Sequence, residues 1–339
     1  MLRTFKFYFA IAITIAACFN PVVVSEPIPE PVVKPKNIFL FIGDGMGFAH
    51  IAVAEAFTSL SFTQFPVMGM ATTRSADSYV TCSAAAATAL ATGSKTNNGM
   101  IALDASGKPL RSMAFDFRDA GYKVGIATTV SIDHATPAAF YANDVSRNNY
   151  YSIASQLAPS GFDFFAGEAF LDPREVYEQI SQAGYSVVYS KEEFEQVQLS
   201  QKLLMSQNSE IWTLADFVSI GIERLDNSQG FFFMAEGGKI DWRAHDNNGE
   251  GVVKEMAGFS DAIAVAFEFY KKHPNETLIV VTADHGTGGI SLVNNREIAW
   301  TTTGHTGEAV PVFAIGAGSE AFAGKMDNTD IPKRILHLR

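Results

Sequence analysis

Five apolar runs separated by helical patterns constrain this chain more than any other feature. They are NIFLFIG at 37–43, KVGIATT at 123–129, FFFMAE at 231–236, LIVVTAD at 278–284 and PVFAIG at 311–316. Each is short, rich in β-branched or aromatic residues, and mostly lacks a polar face, as befits a strand covered on both sides. Amphipathic stretches lie between them, the longest at about 250–271, EGVVKEMAGFSDAIAVAFEFYK. Buried strands alternating with helices predict an α/β fold, a three-layer sandwich around a mostly parallel central sheet. Hydrophobic residues make up 47% of the chain, enough for such a core and too many for a disordered polymer. From Asn37 onward there is no internal repeat and no proline-rich break, so residues 37–339 read as a single domain.

Ligands of such sheets gather beyond the carboxyl ends of the strands. The chemistry-bearing residues of this chain stand at those ends. Asp44 follows the first run, and Asp133, His134 and Thr136 follow the second. Glu236 closes the third, with Asp241 and His245 just beyond, and Asp284 and His285 close the fourth. His305 stands just before the fifth. Four of the seven histidines therefore fall at one sheet edge among several carboxylates. Imidazole with carboxylate suits Zn²⁺, and carboxylate with hydroxyl suits Mg²⁺. Asp241 and His245, four residues apart, share one face of a helical turn and can hold one ion. A single aspartate after a strand is more simply a helix cap. Capping does not account for all of them converging.

Thr81-Cys82-Ser83 precedes AAAATALATG, a strong helix former ended by Gly93, so Ser83 sits at a helix N-terminus. A plain capping serine is one reading. The other is a nucleophile beside an anion site, because free N–H groups and the helix dipole stabilise negative charge there. A neighbouring metal would lower the hydroxyl's pKa. Arg147 supplies a rigid two-pronged donor that fits two phosphate oxygens.

Six blocks then occur in order: GDGMG at 43–47, TCSAAAATALATGSKTNNG at 81–99, HATPAAFYA at 134–142, EGGKIDWRAH at 236–245, ADHGTGG at 283–289 and TGHTGEAVPVFA at 303–314. Together they resemble the alkaline phosphatase family over nearly the whole chain beyond residue 36. The resemblance implies a phosphate monoester hydrolase with two Zn²⁺ and one Mg²⁺. It implies Asp241, His245 and His305 at the first zinc, and Asp284, His285 and Asp44 at the second. Asp44 would also bridge to Mg²⁺, completed by Thr136 and Glu236. Ser83 would attack phosphorus to give phosphoserine while Arg147 clamps the phosphate, and turnover would be favoured at alkaline pH on diverse monoesters.

Three positions depart from the family's best-known bacterial members. Cys82 stands where they carry an aspartate that positions the arginine, so a looser Arg147 is expected. His134 and Trp242 replace an aspartate and a lysine found in some members, and a histidine there opens the third site to zinc. The family's larger members insert a subdomain between the DH pair and the last histidine, where this chain has only Gly286 to Gly304. The extra elements then fall at about 160–228. Homodimers are common in the family.

Related activities fit less well. A phosphodiesterase of the same superfamily would lack the Glu236–Thr136 pair and Arg147. A sulfatase needs a proline and an arginine after its nucleophile, where this chain has alanines. A zinc-storing lipoprotein needs neither Ser83 nor Arg147.

A net charge of −11 argues against a nucleic-acid partner. Arg3 and Lys6 precede an apolar run from Phe7 to Ala17, which has signal-peptide length and is too short to span a bilayer. The predicted signal peptide is 1–17. Its end, Ile15-Ala16-Ala17-Cys18, resembles a lipoprotein cleavage box that would make Cys18 a lipid anchor, and an ordinary cleavage with Cys18 incidental is the alternative. Residues 18–36 are proline-rich and read as an extended tether. The expected location is the periplasm, with or without a membrane anchor.

Overall fold

The computed structural model describes residues 34–207 and 211–339. The expected signal peptide, Cys18 and the expected tether up to residue 33 lie outside the described residues. Fourteen strands are described: β1 (Asn37–Gly43), β2 (Val67–Thr72), β3 (Lys123–Ser131), β4 (Phe164–Glu168), β5 (Tyr185–Val188), β6 (Lys202–Gln207), β7 (Phe231–Gly237), β8 (Thr277–Ala283), β9 (Gly286–Thr287), β10 (Ser291–Val293), β11 (Glu297–Ala299), β12 (His305–Thr306), β13 (Val310–Gly316) and β14 (Gly324–Asp327). Ten of them form one sheet in the order β14-β2-β13-β8-β1-β7-β3-β4-β6-β5. All neighbours pair in parallel except β13, which runs against both β8 and β2. The sheet is thus mostly parallel, as the apolar runs predict.

The reversal of β13 matters for the site. A strand running against its neighbours begins where they end. Residues that precede β13, His305 among them, therefore reach the same edge as residues that follow β1, β3, β7 and β8. Two short antiparallel pieces hold this approach in place, with β12 pairing β9 so that His305 lies opposite Thr287.

Every residue of β1, β7 and β8 is buried, because helices cover both sheet faces. Alternation along β7 shows the two layers. Phe232 stacks on Phe117 and Phe140, from the helices Met113–Asp119 and Ala135–Tyr141. Phe231 points the other way, against Phe269 of the long helix Gly249–Lys272. The central strands join these layers into one core. Residues 160–228 add β4, β5 and β6 to one side of the sheet, and their helix Leu214–Leu225 packs on β3, β7 and β4.

The helix Ser83–Thr92 begins after Cys82, which is its N-cap in extended conformation. It ends at Gly93, whose left-handed φ of 71° lets its N–H close on the Ala89 carbonyl. Nine of its ten residues are buried, so Ser83 is held firmly at the sheet edge.

Candidate active site

The sequence-predicted residues meet at the carboxyl edge of β1, β3, β7 and β8, except Asp133, whose carboxylate accepts the Leu171 N–H instead. Three groups of candidate ligand atoms, each within 4.8 Å of one another, are found among the described residues. They are Asp241 with His245 and His305, Asp44 with Asp241 and His285, and Asp44 with His134 and Glu236. Asp284 joins the second, its Oδ2 lying 3.3 Å from His285 Nε2, and Asp44 Oδ1 is 3.5 Å from the same nitrogen. Ser83 Oγ is 3.3 Å from it as well.

In the first group, His245 Nε2 lies 3.3 Å from Asp241 Oδ2 and 3.1 Å from His305 Nε2. Both rings use Nδ1 elsewhere. His305 Nδ1 donates to the Thr81 carbonyl at 2.9 Å and His245 Nδ1 to that of Thr303 at 2.5 Å. A carbonyl that accepts from the far nitrogen fixes a ligand histidine's tautomer and aims Nε2 at the ion. The bond to Asp241 pushes His245 up to about 9. Burial would raise Asp241, but the bond from His245, the His285 ring and the Thr287 hydroxyl outweigh it and hold the carboxyl below the usual range.

The carboxylates behind this group are fully buried and incompletely bonded. Both oxygens of Asp44, Asp284 Oδ2 and Glu236 Oε1 have no hydrogen-bond partner, and neither does the Thr136 hydroxyl. Burial, reinforced by Asp284 and the other nearby carboxylates, pushes Asp44 well above the ordinary range. Burial likewise raises Asp284 to about 6 and Glu236 to about 7, the latter against a hydrogen bond from Thr128. Several buried carboxylates this close cannot all ionise without a compensating cation. The donor set therefore fits divalent metal ions: nitrogen with oxygen at the first two groups, mainly oxygen at the third.

Backbone geometry lets these groups approach. Gly45 turns with φ 73° and donates its N–H to Asp284 Oδ1 at 3.0 Å. A Cβ there would come within 2.8 Å of Thr287 Oγ1 and 2.9 Å of Asp241 Oδ1. Only glycine fits this turn.

Arg147 reaches the site with its guanidinium end on His134, Nη2 donating to Nε2 at 3.0 Å. Burial, then the arginine's charge, lowers His134 to about 3, so the ring is neutral and accepts. Trp242, 39% exposed, packs edge-on against this ring at 6.1 Å. Cys82 connects to the Arg147 main chain through one residue, Gly99. Its sulfur accepts the Gly99 N–H at 3.1 Å, and the Gly99 carbonyl accepts the Arg147 N–H at 2.8 Å.

Sequence reasoning passed over Thr128, Thr287 and His50. Thr128 donates to Glu236 Oε2. Thr287 lies inside the ADHGTGG block, yet no spacing rule marks its hydroxyl. His50 is fully buried and accepts the Gly47 N–H at 3.1 Å, and burial holds it neutral, at about 4.

Comparison with known proteins agrees with this geometry. The family model described as alkaline phosphatase matches residues 35–163, 165–296 and 291–338. Alkaline phosphatase 4 of Bacillus subtilis is 30% identical, with 87% of each chain covered. Alkaline phosphatase from the Antarctic bacterium TAB5 superposes with a TM-score of 0.83 at 31% identity, covering 91% of this chain and 98% of that one. A histidine-to-aspartate mutant of the TAB5 enzyme, solved with Mg bound in its M3 site, superposes with a TM-score of 0.84 at 31% identity, covering 91% and 99%. The chain is a hydrolase that belongs to the alkaline phosphatase family.

Proposed function

We propose that this protein hydrolyses diverse phosphate monoesters at alkaline pH through a phosphoserine on Ser83, releasing inorganic phosphate. One observation carries this reading: Ser83, at a buried helix N-terminus, faces His285 Nε2 among carboxylates that each leave at least one oxygen unpartnered. Asp241, His245 and His305 would hold one zinc, and Asp284, His285 and Asp44 a second. Asp44, Thr136 and Glu236 would hold magnesium, with His134 close enough for zinc to replace it. Bound there, such ions lower the pKa of a hydroxyl or water and offset charge on the transferring phosphoryl group.

The chain's own residues do the remainder. Ser83 Oγ attacks phosphorus and the ester oxygen departs with the alcohol. Water then attacks phosphoserine, giving phosphate and free Ser83. N–H groups at the start of the Ser83–Thr92 helix favour the anion. Arg147 turns from His134 to grip two non-bridging oxygens. Trp242, exposed at the rim, contacts the bound substrate. The chain would act as an exported homodimer, periplasmic and either free or anchored through Cys18. Among the described residues no helix is long and apolar enough to cross a membrane.

The test is hydrolysis of an aryl monoester at pH about 9 beside the matching diester, before chelation, after it, and after zinc and magnesium are restored. Monoester turnover that disappears with chelation and returns with zinc supports the reading, and Ser83→Ala should lose both turnover and the covalent phosphate trapped by acid quench. A diester preference would overturn the roles of Glu236 and Arg147. No turnover of either ester would overturn the enzyme mechanism altogether.

A further inference from the structure

Thr287 is fully buried and its hydroxyl touches a candidate ligand of each zinc. Its Oγ1 donates to Asp241 Oδ1 at 2.5 Å and lies 3.3 Å from His285 Nδ1. It also stands directly opposite His305 in the β9–β12 pair. One side chain thus meets Asp241 and His285, and its backbone sets the strand that carries His305.

Proton placement gives this contact a direction. His285 Nε2 faces Ser83, Asp44 and Asp284, so it is the nitrogen that would bind metal. Its Nδ1 then carries the hydrogen and donates to Thr287 Oγ1, while the Thr287 O–H donates to Asp241. The chain runs His285 Nδ1–H to Thr287 Oγ1–H to Asp241 Oδ1. Successive hydrogen bonds polarise one another. A cation on His285 Nε2 makes Nδ1–H a stronger donor, which makes the threonine hydroxyl a stronger donor to Asp241. Asp241 is then held in the orientation that presents Oδ2 to His245, 3.3 Å away.

We propose that Thr287 is a positioning residue that couples the two zinc sites, so that filling either raises the affinity of the other. This rests on the metal assignment proposed above. Reciprocity is required thermodynamically, because a coupling free energy has no preferred direction. Valine matches threonine in shape and removes only the hydroxyl, and serine keeps the hydroxyl without the methyl.

The test is zinc binding to the full chain after chelation, followed by competition with a chromogenic chelator at pH 8. With magnesium present to fill the third site, wild type is expected to take two zinc ions with positive cooperativity. Thr287→Val should keep the stoichiometry, weaken the tighter step by about 10–100-fold, and bind the two ions independently. Thr287→Ser should restore the wild-type curve. Should the valine variant fail to fold, as judged by circular dichroism, Thr287→Ala removes the same hydroxyl and takes its place. A valine or alanine curve identical to wild type overturns the proposal. So does a weakened curve that serine does not restore, because shape and not the hydroxyl would then be responsible. Absence of zinc binding by wild type would instead overturn the metal assignment itself, and this inference with it.

Discussion

Replacing Glu236 by glutamine should have opposite effects on the metal-free and metal-loaded protein. Without metal, burial raises this carboxyl from the ordinary glutamate value of 4.5 to about 7. At about 1.4 kcal/mol per tenfold, ionising it in the folded state costs about 3 kcal/mol relative to the unfolded chain. The sign follows from the folded pKa lying above the unfolded one. Below about pH 4 the group is protonated in both states and costs nothing. The penalty grows as the pH rises and is complete above pH 7. Glutamine is neutral throughout and still accepts from Thr128. In excess chelator at pH 8, Glu236→Gln should therefore raise the melting temperature by roughly 5 °C, and at pH 4 the two proteins should melt together. With magnesium restored the order should invert, because the variant lacks a negative oxygen donor to bind the ion. Calorimetric scans at the two pH values, with chelator and with metals, decide the matter. A variant no more stable than wild type in chelator at pH 8 would refute the reasoning, since the carboxylate would then carry no burial penalty.

Two further substitutions probe the arginine and the core. Cys82→Asp places a carboxylate where the sulfur now accepts the N–H of Gly99, the residue whose carbonyl holds the Arg147 main chain. Inhibition of monoester hydrolysis by inorganic phosphate should change several-fold, and an unchanged inhibition constant would show that this position does not govern the clamp. Gly221→Ala puts a methyl 2.4 Å from Phe233 Cε1, so despite a better helix propensity it should lower stability by about 1–3 kcal/mol. Equilibrium unfolding of the metal-loaded protein measures this, and zinc content should be unaffected.

Much of the architecture could be read from local pattern. The run at 37–43 is β1 residue for residue, and the longest helical pattern, at 250–271, falls within one residue of the observed Gly249–Lys272. Ser83 heads its helix and Gly93 ends it, because capping and left-handed turns depend on a few adjacent residues. The direction of β13 was less accessible. An apolar run has the same periodicity in either sense, and only the position of His305 before the strand hinted at reversal.

The amino-acid sequence by itself determined which segments are buried strands and which chemistry-bearing residues stand at their ends, since both follow from neighbours a few positions apart. Tertiary structure alone decided how those residues meet. Thr287 reaches Asp241 across 46 residues, Thr128 reaches Glu236 across 108, and Ser83 reaches His285 across 202. It also decided that the Arg147 guanidinium rests on His134 while Cys82, through Gly99, reaches only the Arg147 main chain. Contacts of this kind depend on strand order, direction and side-chain tautomer. These are set when the whole sheet packs, and no repeat or spacing in the linear chain records them.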